Sequence, residues 1–122
     1  MTAYISVVTS PLGQKRPDMK CITLITYQTH GREAEFRLLQ EIQSKWYDIG
    51  LELNVPVNTM ESHKTNEEKC RDVLRTWLEN GAPRYPVEWD SLVKVLHKVQ
   101  MRAVANELRE ALNYQIFHRL LN

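Results

Sequence analysis

The most constraining feature of this sequence is the stretch Glu67 to Leu78. Cys70, Val73, Leu74, Trp77 and Leu78 fall at i, i+3, i+4, i+7 and i+8, while Glu67, Glu68, Lys69, Arg71, Asp72 and Arg75 lie off that line. Only a helix of 3.6 residues per turn gathers those five side chains into one stripe. Thr65 or Asn66 is placed to cap its start, Glu67 and Glu68 suit the positive end of its dipole, and Asn80-Gly81-Ala82-Pro83 ends it. A helix with a single apolar face must bury that face against other elements, so the stripe predicts a bundle.

The rest of the chain supplies partners. Phe36, Leu39 and Ile42 recur at three-residue steps after Gly31, with Leu38 beside them and Glu33 and Glu35 near the expected helix start. Trp46, Ile49 and Leu53 share a face in a second segment that stops at Asn54-Val55-Pro56, where proline cannot continue a helix. A short third segment covers about Asn58 to Ser62. Beyond the stripe, a fifth helix carries Trp89, Leu92, Val93 and Leu96, and a sixth carries Met101, Val104, Ala105, Leu108 and Leu112. Trp46 and Trp77 are expected in the core, and Trp89, which opens the fifth helix, is expected there too, half covered at most, with a partner contact as the alternative. The tail 113–122 keeps helical spacing and either extends the sixth helix or forms another. A sustained a/d heptad is missing, which excludes a long coiled coil.

Before Thr29 the chemistry differs. Tyr4 to Thr9 and Cys21 to Tyr27 are rich in β-branched and aromatic residues, and Ser10-Pro11-Leu12-Gly13 reads as a turn between them. Residues 1–30 are therefore set apart as a leader, β-like or disordered: a hairpin packed on the helices or paired with another chain, or the end of a preceding β domain.

Bulk numbers narrow the function. The chain has 122 residues, 43% of them hydrophobic, enough for one domain with a core. Sixteen basic residues against 15 acidic ones leave a net charge of +1 and no block of cations to neutralise phosphates, which argues against nucleic acid. No apolar run approaches the ~20 residues of a membrane span, and no signal peptide is visible, so the expected compartment is the cytoplasm. Cys21 and Cys70 are expected as reduced thiols rather than a disulfide framework. His30, His63, His97 and His118 are scattered without metal-ligand spacing. No glycine-rich phosphate cradle appears, and there are four glycines in all. No enzyme, no metal and no cofactor is expected.

Four fragments in order resemble the death-domain family: Lys45-Trp46-Tyr47-Asp48-Ile49-Gly50-Leu51-Glu52-Leu53 its second helix, Glu67 to Trp77 its fourth, Trp89 to Leu96 its fifth and Met101 to Leu108 its sixth. The resemblance covers about Arg32 to Leu112. Departures are Asn54, where the family commonly has glycine, and the two prolines between Gly81 and Pro86. It implies an all-α, six-helix antiparallel Greek-key bundle over 31–112; 113–122 lies outside the resemblance, as a helical extension or tail. It also implies homotypic binding to other death-domain proteins in apoptotic or inflammatory signalling, as an adaptor or receptor tail, with self-association open. On that reading Glu68, Arg71, Asp72 and Arg75, on the outer face of the fourth helix, meet a neighbour's second and third helices, where Asp48, Glu52 and Glu61 lie. Lys98, Gln100 and Arg102, between the fifth and sixth helices, supply a further contact. Competing readings are a passive death-fold domain of a larger scaffold or cytoskeletal protein and, less favoured by the charge, a helix-turn-helix DNA-binding domain.

Overall fold

The computed structural model describes residues 16–29 and 32–121. In chain order the elements are α1 (Met19–Thr23), β1 (Ile25–Thr29), β2 (Arg32–Phe36), α2 (Leu38–Ile42), a 3-10 turn (Gln43–Lys45), α3 (Trp46–Glu52), a second 3-10 turn (Val57–Thr59), α4 (Asn66–Asn80), α5 (Trp89–Lys98) and α6 (Arg102–Leu121). The described chain is mostly helical, with one two-stranded sheet, and belongs to the all-α class.

The expected stripe is α4. Its start is a full capping box: the Thr65 hydroxyl accepts from the Glu68 backbone N–H, and the Glu68 carboxylate accepts from the Thr65 N–H. Cys70, Val73, Leu74 and Trp77 are fully enclosed, and Leu78 is half-buried at the edge. Gly81, at φ 72°, ends the helix, its N–H bonded to the Trp77 carbonyl. The helices α3 and α5 end the same way, with Asn54 at φ 62° and Gln100 at φ 69°. The tail is continuous with α6 as far as Leu121.

One core joins side chains from α1 to α6. Trp77, Leu92 and Leu108, from three different helices, converge in it with Ile49, Leu53, Leu74 and Leu96. Trp89 is inside, 5% exposed, as expected, whereas Trp46, expected in the core, is only half-buried against it. The reason is its place at the first turn of α3, where Ile49 and Leu53 take the inward positions. Its ring instead lies under the Lys69 ammonium, 4.9 Å from the ring centroid, and against the edge of Tyr47.

The region before Leu38 corrects three expectations. Cys21 to Thr23 is the end of a helix, not the start of a strand, because the Asp18 carboxylate caps the Cys21 N–H and turns the backbone. The hairpin is formed by β1 with β2, in antiparallel register from Ile25 opposite Phe36 to Thr29 opposite Arg32. The helical period read from Phe36 was a strand end followed by a helix: Phe36, Leu38, Leu39 and Ile42 are all buried, but Phe36 closes β2 and α2 begins only at Leu38. Glu33 and Glu35 therefore lie in a strand, not in a first helical turn. Tyr4 to Thr9 lies outside the described residues. Residues before 31 share the core, since Cys21, Ile22 and Ile25 are buried within it. The helix α1 packs on α2 and α4, and β1 packs on α6.

Two sites in this packing generate predictions. A Cβ on Gly50 would overlap the Val57 side chain and crowd Val73, so α3 can approach the second 3-10 turn and α4 only with glycine there. Gly50→Ala should destabilise by about 1–3 kcal/mol in urea unfolding despite alanine's better helix propensity; an unchanged midpoint would show that the contact is loose. At the α2–α6 junction, burial and then repulsion from Glu41 and Glu110 hold the Glu107 carboxyl above the usual carboxylate range. A raised native value means stability that is complete at acid pH and falls as pH rises through that value. Glu107→Gln should therefore raise Tm at neutral pH, and the gain should vanish below about pH 4, where the carboxyl is protonated in both folded and unfolded states. An equal gain at both pH values would point to some cause other than charge.

Candidate interaction surface

The outer face of α4 carries a connected charge network. Arg71 pairs with Glu67 at 3.1 Å one turn back. Asp72 lies between Lys64 at 2.7 Å and Arg75 at 3.5 Å, and Lys64 also reaches Glu61 at 3.9 Å. Hydrogen bonding to Asp72 holds the Lys64 ammonium above the usual lysine range. The Thr65 N–H and hydroxyl hold the Glu68 carboxyl below its own. Every charge in this set is at least partly exposed, so water screens each pair and each adds little to stability. The network's effect is on the surface pattern: acids and bases alternate and neutralise one another locally.

The structure regroups the candidate residues. Glu61, expected beside Asp48 and Glu52, instead borders the α4 face through Lys64, next to Asp72 and Arg75. Asp48 stands on α3, 3.7 Å from Lys45. Glu52 has structural work: its carboxylate accepts a 2.6 Å hydrogen bond from the buried Tyr85 hydroxyl. That bond, with burial second, raises the Tyr85 phenol above its ordinary range. Lys98, Gln100 and Arg102 form a separate exposed knuckle at the α5–α6 turn, without an ion pair or side-chain hydrogen bond among the described residues.

Two surface residues escaped the sequence reading. Tyr47 and Leu51 are exposed at 42% and 55%, the large apolar side chains standing out among the described residues. They are four apart on α3, opposite the buried Ile49 and Leu53, so the same helical period that marks the core face also marks this outer one. The Tyr47 hydroxyl donates to Asn58 at 3.3 Å, and Leu51 borders a hollow of about 240 Å³ formed with Glu52, Asn54, Ala82, Pro83 and Arg84. The loop 81–88 is fixed from beneath, because the Trp77 indole donates to the Tyr85 carbonyl at 2.8 Å.

The Cys70 thiol is buried and pushed up to about 12, far from the thiolate a nucleophile needs. No cluster of histidine, cysteine and carboxylate that would hold a metal occurs among the described residues. No described helix is long and apolar enough to cross a membrane. No family model, curated protein or solved structure matches the chain.

Proposed function

We propose that this chain is a death-domain module: a six-helix antiparallel Greek-key bundle that binds other bundles of its kind in intracellular signalling and performs no reaction of its own. On this reading α2 is the family's first helix, α3 its second, the 3-10 turn at Val57–Thr59 a much shortened third, and α4, α5 and α6 the remaining three. The observation that carries the reading is the meeting of Trp77, Leu92 and Leu108, from the fourth-, fifth- and sixth-like segments, in one core with Ile49 of the second-like segment. The hairpin β1–β2 and α1 are additions to that plan.

The interaction face is the α4 network together with its neighbours. Glu68, Arg71, Asp72 and Arg75 offer alternating charge, which suits selection among related partners and fast encounter better than raw affinity. Glu61 belongs to the same face, and Asp48 lies on α3 beside Tyr47 and Leu51, which supply the apolar surface that a charged face alone lacks.

The test is a binding screen of the purified chain against a panel of purified death domains. At least one should bind, and the doubly substituted variant Arg71→Glu with Arg75→Glu should lose that binding while unfolding free energy changes by no more than about 0.5 kcal/mol each. Binding by the double variant equal to wild type would assign the contact to another face. Failure of every panel member to bind would remove the proposal and leave a passive structural domain.

A further inference from the structure

The loop that leads into α4 ends in a hydroxyl that the fold leaves open to reaction. Glu61, Ser62 and His63 are exposed, Lys64 is half-buried, and Thr65 and Asn66 are exposed again. Thr65 has an extended backbone, at φ −71° and ψ 164°, and the chain coils only after it. Its hydroxyl oxygen accepts from the Glu68 N–H at 3.1 Å, while its own hydrogen has no acceptor among the described residues. Carboxylates follow at once, Glu67 two residues on and Glu68 three. Other hydroxyls lack this combination. Thr76 also has a carboxylate three residues on, Glu79, but it stands inside α4. Thr59 lies in a 3-10 turn and donates to the Pro56 carbonyl at 2.7 Å, and Ser91 is buried.

The surroundings decide what a charge added at that oxygen would do. The Lys64 ammonium lies 2.7 Å from Asp72 and 3.9 Å from Glu61, and the His63 ring lies 3.5 Å from the same Glu61 carboxylate. On the helix side the Glu68 carboxylate accepts from the Thr65 N–H at 2.8 Å, and Arg71 is held by Glu67. A phosphate carries about two negative charges at neutral pH and three strong acceptor oxygens. At Thr65 it would still accept from the Glu68 N–H, would repel the Glu68 carboxylate, and would offer the adjacent Lys64 a more highly charged partner than Asp72. Asp72 would then keep Arg75 alone, 3.5 Å away. The α4 face, where acids and bases alternate in the unmodified chain, would turn acidic over its first two turns.

We propose that Thr65 is a phosphorylation site for a protein kinase that selects carboxylates after the acceptor, and that the phosphate draws Lys64 away from Asp72. The step transfers the γ-phosphoryl group of a nucleoside triphosphate. An O–P bond forms at Thr65 Oγ, the bond from the γ-phosphorus to the bridging oxygen breaks, the hydroxyl proton passes to the kinase's base, and the nucleoside diphosphate leaves. A kinase groove holds its substrate extended, so the first turn of α4 opens for the reaction, and the capping box is what that opening has to release. This inference rests on the reading of the α4 face as the interaction surface and adds its regulation. Phosphorylation shifts that face from mixed charge to acidic, which favours basic partner surfaces and rejects acidic ones.

The experiment treats the full chain with ATP, magnesium and a purified serine/threonine kinase that requires carboxylates after the acceptor, and locates the phosphate by mass spectrometry. Wild type should take up phosphate at Thr65. Thr65→Asn, which keeps a good helix cap but has no hydroxyl, should lose that uptake. Glu67→Gln with Glu68→Gln should react severalfold more slowly, although glutamine can still close the capping box. In phosphorus NMR the second ionisation of the phosphothreonine should have a lower midpoint in wild type than in Lys64→Gln, because a neighbouring ammonium favours the dianion. No phosphate at Thr65, a carboxamide variant that reacts as fast as wild type, or equal midpoints with and without Lys64 would overturn the proposal. A death-domain partner bound equally well by both forms of the chain would also overturn it. The first three readouts need no partner, so they stand if the death-domain panel fails, and a chain that escapes phosphorylation yet binds a panel member loses only this inference.

Discussion

The hydrogen bond from the Trp77 indole to the Tyr85 carbonyl is the constraint around which the helical half of this molecule is arranged. Trp77 is wholly enclosed on α4, so its N–H has no access to water and leaving it unpaired would cost about 1–3 kcal/mol. Meeting that need draws the loop 81–88 back over the core, which buries Tyr85 and Val87 and sets the direction in which α5 begins. Tyr85 then reaches α3 through its bond to Glu52. A side chain, a loop carbonyl and a phenol thus link α4, α5 and α3. The two prolines of that loop fit this arrangement, since Pro83 and Pro86 restrict a segment whose path is already set.

The surface follows from what the core leaves over. On α4, charges off the apolar stripe find partners one turn away or in the preceding loop, and the face becomes a network in which no single sign dominates. On α3, the inward demands of Ile49 and Leu53, together with the close approach at Gly50, turn Tyr47 and Leu51 outward. At the α5–α6 turn the backbone is closed by its own hydrogen bonds, and Lys98, Gln100 and Arg102 have no ion pair or side-chain hydrogen bond among the described residues. These three surfaces differ in kind.

Much of this was legible in the sequence, and the reasons differ from element to element. The limits of α4 were readable because stripe, capping box and glycine stop all agree. The helices α5 and α6 were readable from their apolar spacing. The hairpin was not, because the three-residue steps of Phe36, Leu39 and Ile42 imitate a helix although Phe36 ends a strand and only the later two lie in α2. In a segment this short, pairing of Arg32–Phe36 with Ile25–Thr29 overrides local periodicity. Cys21 to Thr23 read as strand because β-branched residues favour one, whereas the Asp18 cap, a single side chain, decides for a helical turn. Among the candidate site residues, Glu52 could not be told from its neighbours by sequence, since the hydroxyl it binds lies 33 residues away. The position of Gln100 as the strained end of a helix was also hidden, because glutamine carries no turn signal.

The account depends most on Trp77 being closed in by Tyr85, and native-state hydrogen exchange of the Trp77 indole proton, followed by NMR, measures that directly. The indole proton should exchange only through global unfolding, with the same protection free energy as the slowest backbone amides of α4. Exchange orders of magnitude faster than those amides would show that the loop opens independently of the core, and the linkage of α3, α4 and α5 described above would then be wrong.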